Sequence, residues 1–235
     1  MPDLGKIVTA NLAEVRKRID EAARRSGRQG SDVTLVAVTK YVDCDAARAL
    51  VAAGCTELGE SRPQELWRKA EALADTPARW HMVGHLQRNK VRRTLPHVTL
   101  LHSGDSLRLL EEVDLAAAEI GRAVPGLLEV NIARDANKHG FAPEEMEAAL
   151  WHIAQRAHLR IRGLMAMAGL EGDLDGARAD FSRLRDLRDQ LRRNCPANVT
   201  LDELSMGMSA DYEIAIEEGA TIVRVGSALF EGIIP

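Results

Sequence analysis

The sequence predicts an α/β fold, a closed (β/α)8 barrel (a TIM barrel) with an extra N-terminal helix, as one domain over residues 1–235. Three observations predict it. Short apolar runs alternate with helical patterns until eight strands are counted, the number that closes a parallel barrel. The first run, Val33 to Thr39, is β-branched and nearly all apolar, as a strand buried on both faces must be. The last two runs end on small residues, Met206-Gly207-Met208-Ser209 and Val225-Gly226-Ser227, where loops after strands 7 and 8 commonly hold phosphate. An open doubly wound sheet usually has a glycine-rich turn after its first strand; here that turn is Lys40-Tyr41-Val42-Asp43.

Each element follows from its own residues. Leu4, Ile7, Val8, Leu12, Val15 and Ile19 recur at helical spacing, and Ser26-Gly27 ends that helix. Strand 1 ends on Lys40, and Asp43 caps a helix that Gly54 stops. Thr56 to Gly59 is strand 2, with Pro63 near the start of a helix through Ala74. Trp80 to Gly84 is strand 3, followed by a basic helix over Gln87 to Arg93. Val98 to His102 is strand 4; Ser103 or Asp105 caps a helix with Leu107, Leu110, Val113 and Leu115 inward. Leu127 to Ile132 is strand 5, and its helix starts near Pro143. Strand 6 lies within Leu159 to Met167, before a helix over Leu174 to Arg193. Asp202 to Met206 is strand 7, Ser209 to Glu218 the helix behind it, and Thr221 to Gly226 strand 8.

Composition bounds the function. A net charge of −4 gives no electrostatic reason to expect nucleic acid or an anionic membrane as partner. The N-terminus lacks a signal-peptide core and no apolar run is long enough to span a bilayer. Cys44, Cys55 and Cys195 are widely spaced without a C-x-x-C, which argues against a disulfide framework or a zinc site and fits a reducing cytoplasm.

Barrel closure brings strands 7, 8 and 1 side by side, so their C-terminal ends share the face where this fold places its sites. By alternation Arg224 shares a face with Gly226, and Lys40 with Val38. Lys40 reads either as a solvated charge or as a Schiff-base amine whose pKa burial and a nearby cation would lower. Arg224 is the odd residue in Thr221-Ile222-Val223-Arg224-Val225-Gly226; it either pairs with a buried carboxylate or serves a ligand. A phosphorylated aldehyde heterocycle uses all three features. Its aldehyde goes to Lys40, its ring nitrogen to Arg224, and its phosphate to Ser209, Gly226 and Ser227. That ligand is pyridoxal 5′-phosphate (PLP).

With those residues in place the chain resembles the PLP homeostasis protein family, relatives of the N-terminal barrel of alanine racemase. The matching stretches are Ala37 to Lys40, Gly59 to Glu65, Trp80 to Lys90, Asn137 to Phe141, Arg162 to Met165, Leu204 to Ser209 and Val223 to Ser227. They run in the family's order over nearly the whole chain. The resemblance implies PLP carried on Lys40 as an internal aldimine, Arg224 at the pyridine nitrogen, and Ser209 with the Gly226-Ser227 turn on phosphate. It implies a carrier or buffer of PLP that affects vitamin B6 and amino-acid balance, a monomer that passes cofactor to PLP-requiring apoenzymes. Ser61 stands where the family commonly has Asn, and Ser227 where it often has Thr, a change that keeps the hydroxyl.

Two other functions compete with the carrier. A slow amino-acid racemase would need a second base; alanine racemases take a tyrosine from a separate β domain, and Tyr41 and Tyr212 are the tyrosines of this chain. A Schiff-base aldolase would use the same lysine and phosphate loops with no bound chromophore. An arginine at the ring nitrogen leaves it unprotonated and weakens the electron sink.

Smaller features carry plainer expectations. His81 and His85 span a strand end, where their spacing does not present one face, so packing or hydrogen bonding is expected rather than metal. Arg88, Lys90, Arg92 and Arg93 read as a solvated face, or a site for an acidic partner. Lys138 is a loop lysine on the cofactor face, or a second amine that transiently receives PLP. The helix Arg178 to Arg193 presents spaced opposite charges, and the acidic loop Glu171 to Gly176 lacks calcium-ligand spacing.

Overall fold

The computed structural model describes residues 4–135, 138–169 and 173–233. Asn137 and the expected loop residues Glu171 and Gly172 therefore lie outside the described residues. The strands are β1 (Thr34–Val38), β2 (Glu57–Glu60), β3 (Arg79–Met82), β4 (Val98–Gly104), β5 (Val124–Glu129), β6 (Leu159–Met165), β7 (Glu203–Ser205) and β8 (Ile222–Val225). All pair in parallel in sequence order, and β8 closes on β1 with Val36 opposite Arg224. The predicted barrel is the observed one.

The helices are α1 (Leu4–Arg25), α2 (Cys44–Ala52), α3 (Pro63–Ala72), α4 (Val91–Thr94), α5 (Leu107–Glu119), α6 (Met146–Ile153), α7 (Leu174–Arg192) and α8 (Tyr212–Glu217). The extra helix α1 packs against α2 and α8 through Val8, Leu12, Val15 and Ile19. Arg18 and Arg25 reach from its outer side to Glu213 and Glu217 of α8. Most of the core lies between strands and helices; Val36, Leu100, Leu127, Met165 and Ile222 form a separate apolar cluster.

Four local expectations need correction. Ser106, not Ser103 or Asp105, caps α5, its side chain accepting from Leu109 N–H. Leu115 is 57% exposed, because it lies two residues past buried Val113, while Ala116 and Ala117 continue the inward stripe. The basic segment is a 3₁₀ turn, the short α4 and a second 3₁₀ turn; Pro96 lacks the N–H that would extend α4. Arg92 pairs with Glu112 and Glu119 and Arg93 lies 4.1 Å over the Trp67 ring, yet both side chains are more than half exposed, the solvated face the sequence predicts.

The fourth correction bears on the site. The helix after β7 begins at Tyr212, not Ser209. Gly207, at φ +91°, turns the chain, and a Cβ there would fall 2.5 Å from the Ala215 Cβ. Asp211 then folds back, its Oδ1 accepting from Met208 N–H at 2.6 Å. Ser209 is thereby held in a turn rather than a helix. On α7, opposite charges pair along the helix as expected, Arg183 with Asp180 and Arg188 with Asp189, and Arg178 and Arg185 also bridge to Glu217 and Glu218 at the end of α8.

Candidate functional site

Alternation along the strands decides what enters the barrel. Polar side chains occupy a level of the interior that apolar layers usually fill: His81 of β3, His102 of β4, Glu129 of β5, Ser205 of β7 and Arg224 of β8 are all buried. Above them, at the C-terminal ends of the strands, opens a cavity of about 540 Å³. Lys40, Ser209, Arg224, Gly226 and Ser227, all five residues singled out in the sequence, line it.

Lys40 follows β1 by two residues. Thr39 is anchored beneath it: the buried Lys69 ammonium donates to the Thr39 carbonyl at 2.6 Å, and the Thr39 hydroxyl donates to Glu60 Oε1 at 2.9 Å. Lys69 also pairs with Glu60, so both buried charges are compensated. Lys40 itself is exposed at the mouth, its ammonium 4.7 Å from the centre of the Tyr41 ring. The rim burial expected for this amine is not met, because Thr39 rather than Lys40 is the residue packed against the β2 end.

Arg224 is 5% exposed. Its guanidinium donates to Ser205 Oγ at 2.7 Å and to the Ala166 carbonyl at 3.1 Å. Further guanidinium N–H groups have no protein acceptor among the described residues, and the side chain lines the cavity. Burial pushes this group down to about 10, while the charges of Glu129 and Asp211 pull the other way. It remains a cation at neutral pH. Of the two sequence readings of Arg224, the carboxylate neighbour is present in Glu129, and the open donors leave room for a ligand.

At the lip after β7 and β8, Ser209 Oγ accepts from the N–H groups of Gly226 at 3.1 Å and Ala228 at 3.5 Å. Two backbone donors and a hydroxyl thus converge on one point. A Cβ on Gly226 would approach the Val38 carbonyl at 3.3 Å, so a bare residue suits that lip. Both donors lie at the start of the 3₁₀ turn Ser227–Phe230, in the loop after β8 that the sequence singled out. Ser227 is exposed at the same lip.

The facing wall holds Lys138, which the sequence already places on the cofactor face, with titratable residues it does not assign to the site. Burial, with Asp105 adding to it, raises the Glu129 carboxyl to about 7 against the opposing charges of Arg224, His85 and Lys138. His85 Nδ1 lies 2.6 Å from Asp105 Oδ2, and its ring stacks on His139 at 4.3 Å between centroids. Lys138 donates to the Ala168 carbonyl at 2.7 Å while lining the cavity. His81 is hydrogen-bonded in the interior, as expected, and His85 is paired with a carboxylate. Glu129 had a signal in the sequence: it is a charge in an apolar run, on the parity of Leu127. Ser61, in the place of the family's usual Asn, also lines the cavity.

An amine at the mouth, a buried cation with open donors and a backbone N–H pair at the lip fit the aldehyde, ring nitrogen and phosphate of PLP. Comparison with known proteins points to the same cofactor. The family "Alanine racemase, N-terminal domain" matches residues 10–233. The chain is 38% identical over 219 residues to the "Pyridoxal phosphate homeostasis protein" of Aquifex aeolicus, covering 93% of this chain and 95% of that one. It is 40% identical over 226 residues to the protein of that name from Pseudomonas aeruginosa, covering 95% and 94%. PipY of Synechococcus elongatus PCC7942, solved with PLP bound, superposes with a TM-score of 0.85 at 36% identity, over 95% of this chain and 99% of that one. The chain therefore belongs to the alanine racemase N-terminal domain family, among its pyridoxal phosphate homeostasis proteins.

Proposed function

We propose that this chain binds PLP in the mouth of its barrel and carries or buffers it, maintaining intracellular vitamin B6 and amino-acid homeostasis without robust turnover. One observation supports this above the rest: Lys40, Arg224, Ser209, Gly226 and Ser227 line a single cavity of about 540 Å³. Lys40 is the amine that takes the aldehyde as a Schiff base. Arg224 donates to the ring nitrogen, and as a cation with no proton to spare at neutral pH it does not protonate that nitrogen. Gly226 and Ala228 N–H groups, with the Ser209 and Ser227 hydroxyls, hold the phosphate. PLP supplies an aldehyde and an electron-accepting ring, and the arginine mutes the second of these.

An exposed amine at the mouth suits a cofactor that must leave again, to PLP-requiring apoenzymes. Lys138, beside the same cavity, is a candidate second amine. We place the protein in the cytoplasm as a monomer; no helix among the described residues is long and apolar enough to cross a membrane. The visible spectrum of PLP-loaded protein before and after borohydride tests the reading. A yellow protein whose reduced pyridoxyl group maps to Lys40 is expected. A colourless protein that forms an imine with a sugar phosphate would replace it with the aldolase reading.

Slow racemisation is the second reading, favoured by Glu129, raised to about 7, and His85, both lining the cavity as possible proton acceptors. Chiral chromatography after long incubation with L-amino acids separates it from the carrier.

A further inference from the structure

Beneath the cavity, polar contacts run in line through the barrel. Arg224 meets Ser205 Oγ at 2.7 Å, Ser205 Oγ meets His102 Nδ1 at 2.8 Å, and His102 Nε2 meets His81 Nδ1 at 2.9 Å. His81 Nε2 then meets Glu57 Oε2 at 2.7 Å. The residues come from β8, β7, β4, β3 and β2, and none of the four contacts is between neighbours in sequence. We infer that Glu57, His81, His102 and Ser205 form a directed hydrogen-bond chain that crosses the barrel and positions the cavity-facing guanidinium of Arg224. These four are positioning residues; nothing places them on the ligand.

The direction of the chain follows from its ends. A guanidinium only donates, so Ser205 Oγ accepts from Arg224. The hydroxyl hydrogen of Ser205 then goes to its other partner, His102 Nδ1. With Nδ1 accepting, a neutral His102 carries its proton on Nε2 and donates it to His81 Nδ1. His81 in turn carries its proton on Nε2 and donates to Glu57. Starting from the other end gives the same answer, since an ionised carboxylate only accepts. Burial, with the charge of Arg224 adding to it, holds His102 well below the usual imidazole value and therefore neutral. Burial works against the Glu57 carboxylate, but the hydrogen bond from His81 and the nearby Arg79 outweigh it and keep the group below its usual range.

The chain has a physical reason to be complete. His102 and Ser205 are fully buried and His81 is 4% exposed, so each lost partner would leave an orphaned polar group. Hydrogen bonds that all point one way polarise each other, and a partly satisfied set would be worse than an apolar layer. Glu57, 21% exposed in its side chain and paired with Arg79 at 3.2 Å, ends the chain near solvent, in a second cavity lined by Thr34, Thr56 and Glu57. The consequence for Arg224 is a fixed rotamer: with one terminal nitrogen tied to Ser205 and the other to the Ala166 carbonyl, its remaining donors are held toward the cavity. The effect on cofactor rests on the reading of Arg224 proposed above; the direction of the chain does not.

Two measurements on the cofactor-free protein test the chain itself. In ¹⁵N-histidine spectra at neutral pH, His81 and His102 are expected as neutral Nε2–H tautomers. An Nδ1–H tautomer or an imidazolium at either residue overturns the inferred direction. Arg224 guanidinium N–H signals are expected to be separate and slowly exchanging, and to average in Ser205→Ala. Unchanged signals in a folded S205A overturn the positioning role. Should S205A not fold, His102→Leu against His102→Gln decides the same point: Gln can accept at one end and donate at the other, so signals equally averaged, or equally sharp, in both count against the chain. In loaded protein, S205A is expected to weaken PLP about tenfold, as for a lost hydrogen bond to a charged group, and to shift its absorbance. A protein that takes up no PLP removes the proposed function and leaves the tautomers to decide the chain.

Discussion

The two walls of the cavity are built differently. The wall from β7, β8 and β1 offers Ser209, Gly226, Ser227 and Lys40, mostly small residues and backbone N–H groups at the lip. The wall from β3, β4 and β5 offers His85, Asp105, Glu129, Lys138 and His139, all with ionisable side chains. The first wall suits a fixed anion, because neutral backbone donors bind charge without titrating. The second suits proton exchange, because the Glu129 carboxyl, raised to about 7, changes charge near neutral pH. Arg224 stands at the seam: it comes from the first wall and its charge acts on Glu129 of the second. A carrier needs the first wall; a racemase would need the second to work on a bound substrate.

The largest expected effect comes from removing the amine of the first wall. Lys40→Ala should abolish the visible band of the loaded protein and leave no reduced pyridoxyl group on the β1 peptide, read by absorbance and by mass spectrometry after borohydride. Thr39 remains anchored by Lys69 and Glu60, so the fold is expected to persist. A reduced group found mainly on Lys138 in the unmodified protein would move the primary amine to the other wall.

Arg224→Glu breaks the seam. It removes a buried cation, leaves Glu129 without it and adds a second carboxyl at the same depth. It also takes the donors from Ser205 Oγ and the Ala166 carbonyl, and each buried polar group left unsatisfied costs about 1–3 kcal/mol, so a large loss in urea stability of the cofactor-free protein is expected. PLP affinity should fall as well, since the new charge lies near the phosphate. Deuterium exchange at the amino-acid Cα, normalised to bound PLP, should be slow in the unmodified protein. Fast exchange there would favour the racemase and show the second wall in use.

The first wall was legible in the sequence and the second, Lys138 apart, was not, for a physical reason. Gly207, Ser209, Gly226 and Ser227 signal their role locally, since a turn after a strand needs residues without bulk. Strand order then places Lys40 beside them. His85, Asp105 and Glu129 come from three strands, and each has an ordinary local reading. Only the closed register, with its shifts in β3–β4 and β4–β5, makes them neighbours. The same holds for the polar interior: His102 and Ser205 sit at inward parity, but parity alone does not say that one meets the other. The eight strands were readable because each is a short apolar run between breakers. The short α8 was overextended because Ser209 to Glu218 looks helical until Asp211 folds back on Met208.

Glu129 allows the second wall to be weighed by pH. Its folded value of about 7 lies above its ordinary 4.5, so the folded state holds a proton that the unfolded chain has lost between those values. Stability is then fully present below about 4.5 and falls as pH rises through about 7, by roughly 3 kcal/mol in all. Glu129→Gln cannot ionise and should lose this slope. Urea titrations of both proteins at pH 5 and pH 8 measure it, and parallel pH dependences would show that Glu129 is ionised at little cost.

The smallest effect returns to the lip. In the structure the Ser209 hydroxyl oxygen accepts the Gly226 and Ala228 N–H groups, standing where an anion's oxygen would stand for those donors. On the proposed reading, a bound phosphate would take over the two N–H groups and the hydroxyl would donate to it. Ser209→Ala therefore loses one hydrogen bond to a charged group and also removes a competitor for two others. The contributions oppose each other, so the net loss of PLP affinity should be near the low end for such bonds, about 1 kcal/mol or roughly fivefold. Ser227→Ala, at an exposed residue, should cost no more. Pyridoxal, which lacks the phosphate, should bind both variants as it binds the unmodified protein. An equal loss for pyridoxal and PLP in Ser209→Ala would place that hydroxyl on the ring rather than the phosphate, and the lip would no longer be the anion-holding wall.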